Sequence, residues 1–441
     1  MTATAHTTAP SLEQLAPNVI SRVKAGDLKT AQMVLLGVGI ALLGAAWATG
    51  REGPFYASYL VGYMGTLGIC LCGLFFAMLQ HITRAGWGIP VRRLAENVAG
   101  VLPFMLLLFV PIVIGFGDHL YTHWAGHDVD LVTDHVLAGK SAWLNKTFFF
   151  VRVGIYFAIW IGLATFFRRG SFKQDVTGDP AITLRLARVA APGMLLFALS
   201  ITFASFDWIM SLDPHWFSTI FGLTYFAGAY MAFLAFTILM AKWLGTRGYL
   251  REAINVEHYH DLGKLLFVFM VFWTYTNFSQ YMLIWYANLP EETLWFAVRR
   301  ENGWAAAGMI LILGHFFIPF AFLMSRHVKR NGKALSAAAI FLLVIHCIDM
   351  QFLILPSATG HAEHAGGHGE SRGIAEAISD GFNTFPHDFG LYLHTIGWAD
   401  FGCFVGLLAI VAGLTLMNVR RSNLVPLRDP RLAESLHFQN L

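Results

Sequence analysis

The chain has 441 residues, of which 56% are hydrophobic and only 13% are charged. Soluble domains carry about 25% charged residues, so this composition excludes an ordinary water-soluble enzyme, a disordered protein and a nucleic-acid-binding protein. The formal net charge of +3 is too small to indicate a polyanionic partner. The sequence therefore predicts an all-α polytopic membrane protein, with the lipid bilayer as its first partner.

A membrane-spanning helix needs about 20 mainly apolar residues, and the chain contains ten runs of suitable length. The first run follows a polar segment and is too long for the apolar region of a signal peptide, so it is predicted to be a retained span. The ten predicted spans are 31–49, 57–80, 97–117, 145–167, 190–212, 217–241, 263–287, 303–325, 335–355 and 390–418.

Lysine and arginine are distributed unevenly between the segments that connect these spans. With the N-terminus on the cytoplasmic side, 23 basic residues fall on that side, six fall on the other, and Arg152 lies inside the fourth span. Cytoplasmic segments of membrane proteins carry such an excess of basic residues. Because ten spans return the chain to the side where it began, both termini are predicted to be cytoplasmic.

Spans five and nine end with the same spacing. Asp207 and Asp349 each follow a large apolar residue and precede a proline, Pro214 or Pro356, by seven positions. Both spans run outward, so a parallel repeat of two four-helix bundles is predicted, with chance or shared helix-end chemistry as the alternative. The predicted segments are a cytoplasmic N-terminal segment 1–30, a peripheral first span 31–56, a first bundle 57–216, a second bundle 217–356, a periplasmic His- and Gly-rich loop 357–389, and span ten with a cytoplasmic tail 390–441.

Cysteine and loop histidine residues give little indication of a cofactor. There is no CxxCH motif, no clustered cysteine set and no paired zinc motif, so the cysteines are predicted to be small buried apolar residues. Three histidines of the Gly-rich loop could bind a metal, but their spacing favours a solvated loop. These residues are Cys70, Cys72, Cys347 and Cys403, and His361, His364 and His368.

Ionisable side chains at membrane depth cost several kcal/mol unless they are paired or face a wet interior, so each is a functional candidate. His346 and Asp349 are three residues apart, which places them on one helix face. The candidates in the outward half are Asp207, Asp213, His215, His346 and Asp349. A second set, with weaker support, comprises Arg152, His315, His394 and Asp400, with Asn277 and Gln280 on a polar stripe of span seven that also includes Trp273 and Thr276.

The cytoplasmic approach to span seven reads EHYHDLGK. It places Glu257, His258, His260, Asp261 and Lys264 within two helical turns. Histidine titrates near neutral pH and carboxylates relay protons, so the set could collect protons from the cytoplasm. The alternative is that Asp261 caps the helix and Lys264 extends to the lipid headgroups.

Four interpretations of these residues remain open. They could form a proton path, in which carboxylates and histidines at different depths act as stations. They could ligate haem b, although no span carries two well-spaced histidines at depth. They could belong to an ion-coupled transporter, for which broken spans near the midplane are typical; here the prolines mostly lie at span ends, with Pro111 and Pro319 as exceptions, which favours this interpretation less. Buried ion pairs could also only tie helices together.

Three segments resemble a known family. These are SFDWIMSLDPHWFSTIFG (205–222), EHYHDLGKLLF (257–267) and NFSQYMLIWYANLPEET (277–293). They closely resemble the second of the two large paralogous membrane subunits of bacterial alternative complex III, a quinol:electron-acceptor oxidoreductase. Both subunits are of the polysulfide-reductase-type, NrfD-like family, and the ten-span layout agrees over nearly the whole chain.

The resemblance implies two four-helix bundles plus peripheral helices in the bacterial cytoplasmic membrane. It also implies partners: a paralogous membrane subunit that binds quinol, a periplasmic iron–sulfur subunit and haem c subunits, with a terminal oxidase as a further candidate. The chain itself would hold no haem or cluster and would support quinol:cytochrome c electron transfer as a non-catalytic, proton-conducting subunit. Direct quinone binding by this chain is the alternative, and a free-standing ion-coupled transporter is the second. The proton role would fall on the outward and cytoplasmic sets named above.

Overall fold

A computed structural model describes residues 25–50, 53–127, 129, 131–358 and 374–439. All regular secondary structure in these residues is helical, which confirms the all-α polytopic prediction. The long helices, numbered in chain order, are α1 (Ala25–Thr49), α2 (Pro54–Ile82), α3 (Ile89–Ile114), α4 (Lys146–Thr177), α5 (Pro180–Trp208), α6 (Phe221–Thr246), α7 (Val256–Ala287), α8 (Trp304–Met324), α9 (Gly332–Ala358), α10 (Ile374–Thr395) and α11 (Trp398–Arg420).

Nine of these helices, α1 to α6, α8, α9 and α11, are long and apolar enough to cross a membrane within the described residues. The remaining predicted span, the seventh (263–287), lies in α7, which has 32 residues and is therefore about 48 Å long. Its length is sufficient, but polar side chains such as Thr276, Asn277 and Gln280 make it less apolar than the other nine. The count of apolar spans is thus one lower than the sequence predicts.

The helices alternate in direction, so the molecule has two ends. We call the end where α2, α4, α6, α8 and α11 finish the basic end, because Arg92, Arg168, Arg247, Arg330 and Arg420 lie near it. The other end is the opposite end.

Two of the nine spans are interrupted. Proline lacks the amide proton of a regular helix, and α3 breaks beside Pro103 and Pro111. In α8 the interruption is a π-helical turn that holds His315 and ends just before Pro319. Such turns replace the regular hydrogen-bond ladder locally. The pieces of α3 are Ile89–Ala99, Leu102–Leu107 and Val110–Ile114, and the π-helix Phe116–Leu120 follows them. The pieces of α8 are Trp304–Leu311, the π-helix Ile312–Phe317 and Ile318–Met324.

The last predicted span begins later than expected. Residues 390–395 belong to α10, and the membrane helix α11 starts at Trp398. The predicted loop 357–389 therefore contains helical residues from Ile374 onward. Helix α10 is amphipathic, and its apolar residues extend the hydrophobic run that the sequence assigns to span ten.

Helix α2 lies at the centre of the molecule and is almost entirely buried. It contacts α3, α4 and α5 on one side and α6, α9 and α11 on the others. A Cβ atom at Gly62 would lie 2.8 Å from the carbonyl carbon and oxygen of Cys403 on α11. Glycine at this position therefore lets the two backbones touch. Helix α1 packs mainly on α11 and is otherwise exposed.

Candidate functional site

The first buried cluster surrounds Asp207, near the end of α5. Arg152 of α4 donates from Nε to Oδ2 at 2.7 Å and from Nη2 to Oδ1 at 2.9 Å. The Tyr156 hydroxyl donates to Oδ2 at 2.7 Å, and the Trp143 indole donates to Oδ1 at 2.9 Å. The carboxylate thus accepts four hydrogen bonds, two of them from a guanidinium. We call these four residues the Asp207 cluster.

Local structure explains how the Asp207 cluster assembles. Asn145 caps the start of α4 by accepting from the Phe148 amide, and Arg152 and Tyr156 then lie one helical turn apart on the same face. The guanidinium carbon lies 4.2 Å from the centre of the Trp143 ring. Asp207 is 1% exposed and Arg152 is 4% exposed. Both charges are therefore buried and paired with ideal fork geometry.

The second buried cluster surrounds Asp349 of α9. Its Oδ2 atom accepts a hydrogen bond from the Trp273 indole of α7 at 3.1 Å. The His346 Nδ1 atom is 4.0 Å from the same oxygen, beyond hydrogen-bond distance. The His315 ring of α8 stacks on the Trp273 ring, with 3.6 Å between the centres and 16° between the planes. These four residues form the Asp349 cluster.

The Asp349 cluster differs from the Asp207 cluster in its charges and its hydrogen bonding. Within the described chain, neither Lys nor Arg forms an ion pair with Asp349. The four ring nitrogens of His315 and His346 have no hydrogen-bond partner of normal geometry among the described residues. A Cβ atom at Gly228 of α6 would lie 3.1 Å from Asp349 Oδ2. Asp349 is thus tightly enclosed, and no guanidinium of the described residues pairs with it.

The structure brings His315, His346 and Asp349 together from two helices. The sequence indicates the pair on α9 through its spacing, and Trp273 through the polar stripe of α7. It gives no sign that His315 stacks on Trp273, because that contact joins different helices. Tyr156 and Trp143, which complete the Asp207 cluster, also lack a sequence signal, since aromatic residues are common throughout the chain.

The set at the start of α7 divides into separate contacts. His258 is fully buried, bonds to the Asn255 cap, and places Nε2 3.0 Å from the Ser435 hydroxyl. It therefore holds the helix end and the C-terminal tail in place. Glu257 forms an ion pair with Arg330, and Asp261 pairs with Lys264 at 2.5 Å, with His260 3.9 Å from Asp261.

This set is far from the Asp349 cluster. Twelve residues of α7 separate Asp261 from Trp273, or about 18 Å along the helix axis. The side chains of Leu262, Leu266 and Met270 are fully buried between them. The two predicted groups of stations are thus not connected along α7 itself.

A buried charge network at the basic end is absent from the sequence prediction. Arg92 pairs with Asp429 of the C-terminal tail at 2.6 Å, and Arg93 pairs with Asp175 at 2.8 Å. Glu96 lies 3.3 Å and 3.2 Å from the two arginines. The spacing of Arg92 and Glu96 by four residues is a local signal for this contact, whereas Asp429 lies 337 residues away. The network fastens the tail to α3 and α4.

Asp213 and His215 lie at the opposite end, outside both clusters. The His215 Nε2 atom is 2.6 Å from Asp134 Oδ2, and the Asp213 carboxylate accepts from the His215 backbone amide. The Leu137 amide donates to Asp134, and this bond, followed by the contact with His215, lowers the Asp134 pKa. His215 is half-exposed at its side chain, so this pair belongs to the loop surface.

The remaining candidates have separate surroundings. Asp400 is buried and accepts from the Ser58 hydroxyl at 2.5 Å, whereas His394 is exposed. Asn277 donates to the Trp273 carbonyl oxygen. Gln280 accepts from the Ser218 hydroxyl. None of these four contacts the Asp349 side chain in the described part of the chain. The loop histidines 361, 364 and 368 lie outside the described residues.

Comparison with known proteins leaves the family open. No protein-family model matches the chain, and no curated protein matches it. The functional conclusion therefore depends on the two buried clusters and on the resemblance of the three sequence segments.

Proposed function

We propose that this multi-span membrane protein is a subunit of a quinol-oxidising respiratory complex in the bacterial cytoplasmic membrane. We further propose that the Asp349 cluster is a proton-binding station within it. The three segments that resemble the alternative complex III subunit support the first part. The basic end would face the cytoplasm, because basic residues concentrate there and cytoplasmic segments are rich in them.

The contrast between the two buried aspartates carries the proton assignment. Arg152 neutralises Asp207, and the four donors around its carboxylate fill its hydrogen-bonding capacity. Protonation of Asp207 is therefore unfavourable. Asp349 has one indole donor and two histidines nearby, all of them buried. A buried carboxyl without a permanent counter-charge favours its neutral form, which holds a proton, and carboxyls at membrane depth serve in proton relays. This arrangement suits a station, whereas the Asp207 cluster suits a tie between helices.

Polar groups extend from the level of Asp349 toward both ends. On α6, the buried hydroxyls of Tyr230 and Thr237 have no hydrogen-bond partner among the described residues. Thr237 is nine residues beyond Gly228, or about 14 Å closer to the basic end. In the other direction, Gln351 accepts from the buried Tyr392 hydroxyl. These groups are candidates for the proton transfers to and from Asp349.

The test is the replacement Asp349→Asn in the intact complex, reconstituted into vesicles and driven with a quinol and an electron acceptor. The amide keeps the shape and can still accept from Trp273, so assembly and haem spectra are expected to be unchanged. Protons moved per electron are expected to fall at least by half. Asp118→Asn, at an exposed carboxylate of the π-helix Phe116–Leu120, is the matched control and is expected to behave as the wild type. A wild-type proton ratio for Asp349→Asn would overturn the assignment.

Membership of the complex has its own test. The tagged chain is extracted gently from its membranes, and the co-purifying subunits are identified alongside haem and iron–sulfur spectra. Recovery with haem c and iron–sulfur subunits is expected. Recovery of a colourless chain alone would refute the assignment.

One observation favours the transporter alternative. The two interrupted spans, α3 and α8, both contain or adjoin a π-helical turn, and that of α8 carries His315. Broken spans that line a central site are typical of ion-coupled transporters. A transporter would purify without redox subunits and would move its ion without quinol, so the same extraction experiment separates the two functions.

A further inference from the structure

A groove of about 510 Å³ lies between α4 and α5 near the basic end. Arg169 and Lys173 of α4 and Arg185 of α5 border it, and all three side chains are exposed. The Arg185 guanidinium carbon is 5.5 Å from the centre of the Phe166 ring, which forms part of the wall. The groove thus has a strongly basic rim over an apolar wall.

The charge of this rim is not neutralised within the groove. None of the ten lining residues is acidic. The nearby carboxylate of Asp175 pairs instead with Arg93, at 2.8 Å. Three cations gathered around one concave surface repel one another unless an anion lies between them. The groove therefore complements an anionic group.

The groove continues into a smooth face of α4 that points away from the protein. A Cβ atom at Gly162 or at Gly154 would meet nothing within 4 Å. On the neighbouring helix, Leu195 and Leu199 are 64% and 50% exposed, as expected for side chains in contact with lipid tails. At its base, α4 and α5 come close enough that a Cβ at Gly170 would lie 2.7 Å from Leu186 Cδ2. An extended apolar chain can lie along this face below the basic rim.

We propose that this groove binds an anionic phospholipid of the leaflet at the basic end. The phosphate would be held by Arg169, Lys173 and Arg185, and an acyl chain would lie along Ile161, Gly162 and Thr165. Basic pockets between membrane helices recognise such headgroups through charge and hydrogen bonds. Continuity between the rim and the lipid-facing wall favours a lipid over a soluble anion. This inference does not depend on the proposed function.

The test measures lipid binding to the purified chain, in the assembly in which it is extracted, by native mass spectrometry in mixed micelles. The triple variant Arg169→Gln, Lys173→Gln and Arg185→Gln is expected to bind phosphatidylglycerol on the order of 100-fold more weakly. Binding of phosphatidylcholine is expected to be weak and unchanged. The matched control removes the same charge from exposed residues outside the groove, as Arg188→Gln, Arg247→Gln and Arg251→Gln.

A second variant tests the apolar wall at constant charge. A Cβ atom at Gly162 meets nothing within 4 Å, so Gly162→Leu is expected to preserve folding and to weaken phosphatidylglycerol binding about tenfold. Equal losses in the groove and control triples would show only a diffuse surface potential and would overturn the proposal. A second result would also overturn the proposal: phosphatidylglycerol is displaced by inorganic phosphate at equal concentration, and its binding is unchanged in Gly162→Leu. That result would identify a site for free phosphate.

Discussion

Removing one charge from the Asp207 cluster should destabilise the folded protein strongly. In Asp207→Asn the side chain keeps its size, but the Arg152 guanidinium loses its only anionic partner in the described structure. Arg152 is 4% exposed and would retain only the Trp143 carbonyl oxygen and the neighbouring aromatic rings. It cannot reach solvent from this position without disrupting the packing of α4.

Breaking a buried ion pair by removing one partner costs about 3–5 kcal/mol, and that range is the expected loss in free energy of unfolding for Asp207→Asn. The double variant Asp207→Asn, Arg152→Met removes the stranded charge as well. It is expected to lose less than about 2 kcal/mol, because a well-packed neutral replacement of a buried pair is often nearly neutral. Because removing either partner alone is expected to cost about 3–5 kcal/mol, the coupling energy between the two positions is then at least about 4 kcal/mol.

The assay is reversible unfolding of the purified chain in mixed micelles, by titration with a denaturing detergent. Asp349→Asn is the matched control: among the described residues its side chain accepts one hydrogen bond, from the neutral Trp273 indole, so a loss of about 1 kcal/mol is expected. The reasoning would be refuted if Asp207→Asn cost no more than Asp349→Asn. It would also fail if the double variant lost as much as the sum of its two single variants.

Two further predictions concern other parts of the molecule. Gly62→Ala places a methyl group against the Cys403 backbone, which cannot rotate away, so the free energy of unfolding should fall by about 2–3 kcal/mol; a loss below about 0.5 kcal/mol in the same titration would contradict the close contact of α2 and α11. The Asp134 pKa is lowered in the folded state, chiefly by the Leu137 amide and then by His215. The carboxylate therefore contributes stability above its unfolded pKa of about 3.9, and this contribution is lost as the pH falls through the lower folded value. Hydrogen exchange at Leu137, corrected for its intrinsic pH dependence, should show this loss; Asp134→Asn should abolish it, and an unchanged profile would count against the contact.

Part of the fold follows directly from the sequence. A bilayer requires every backbone polar group to be satisfied within the segment, so long apolar runs become helices regardless of their neighbours. This rule predicts α1 to α6, α8 and α9 to within several residues at most ends. It fails near residue 390, where the apolar positions of α10 merge with those of α11. A hydropathy pattern cannot distinguish an amphipathic helix from the start of the span that follows it.

The site was predictable only within single helices. His346 and Asp349 are three residues apart, and the helical repeat alone places them on one face of α9. The packing of α4 against α5 brings Asp207 to Arg152. The packing of α7, α8 and α9 leaves Asp349 without a Lys or Arg partner among the described residues. The shared Asp-to-Pro spacing makes the two aspartates look equivalent. Their partners make them chemically different.

The sequence by itself determined the membrane class, the helical content and the approximate position of nearly every span, because the energy of placing each segment in lipid is largely additive along the chain. Only the tertiary structure decided which buried charge is neutralised and which is not, because an ion pair forms between side chains on different helices. It also decided where α4 and α5 leave a groove with a basic rim, since that gap results from the close approach at Gly170 and the absence of side chains at Gly154 and Gly162.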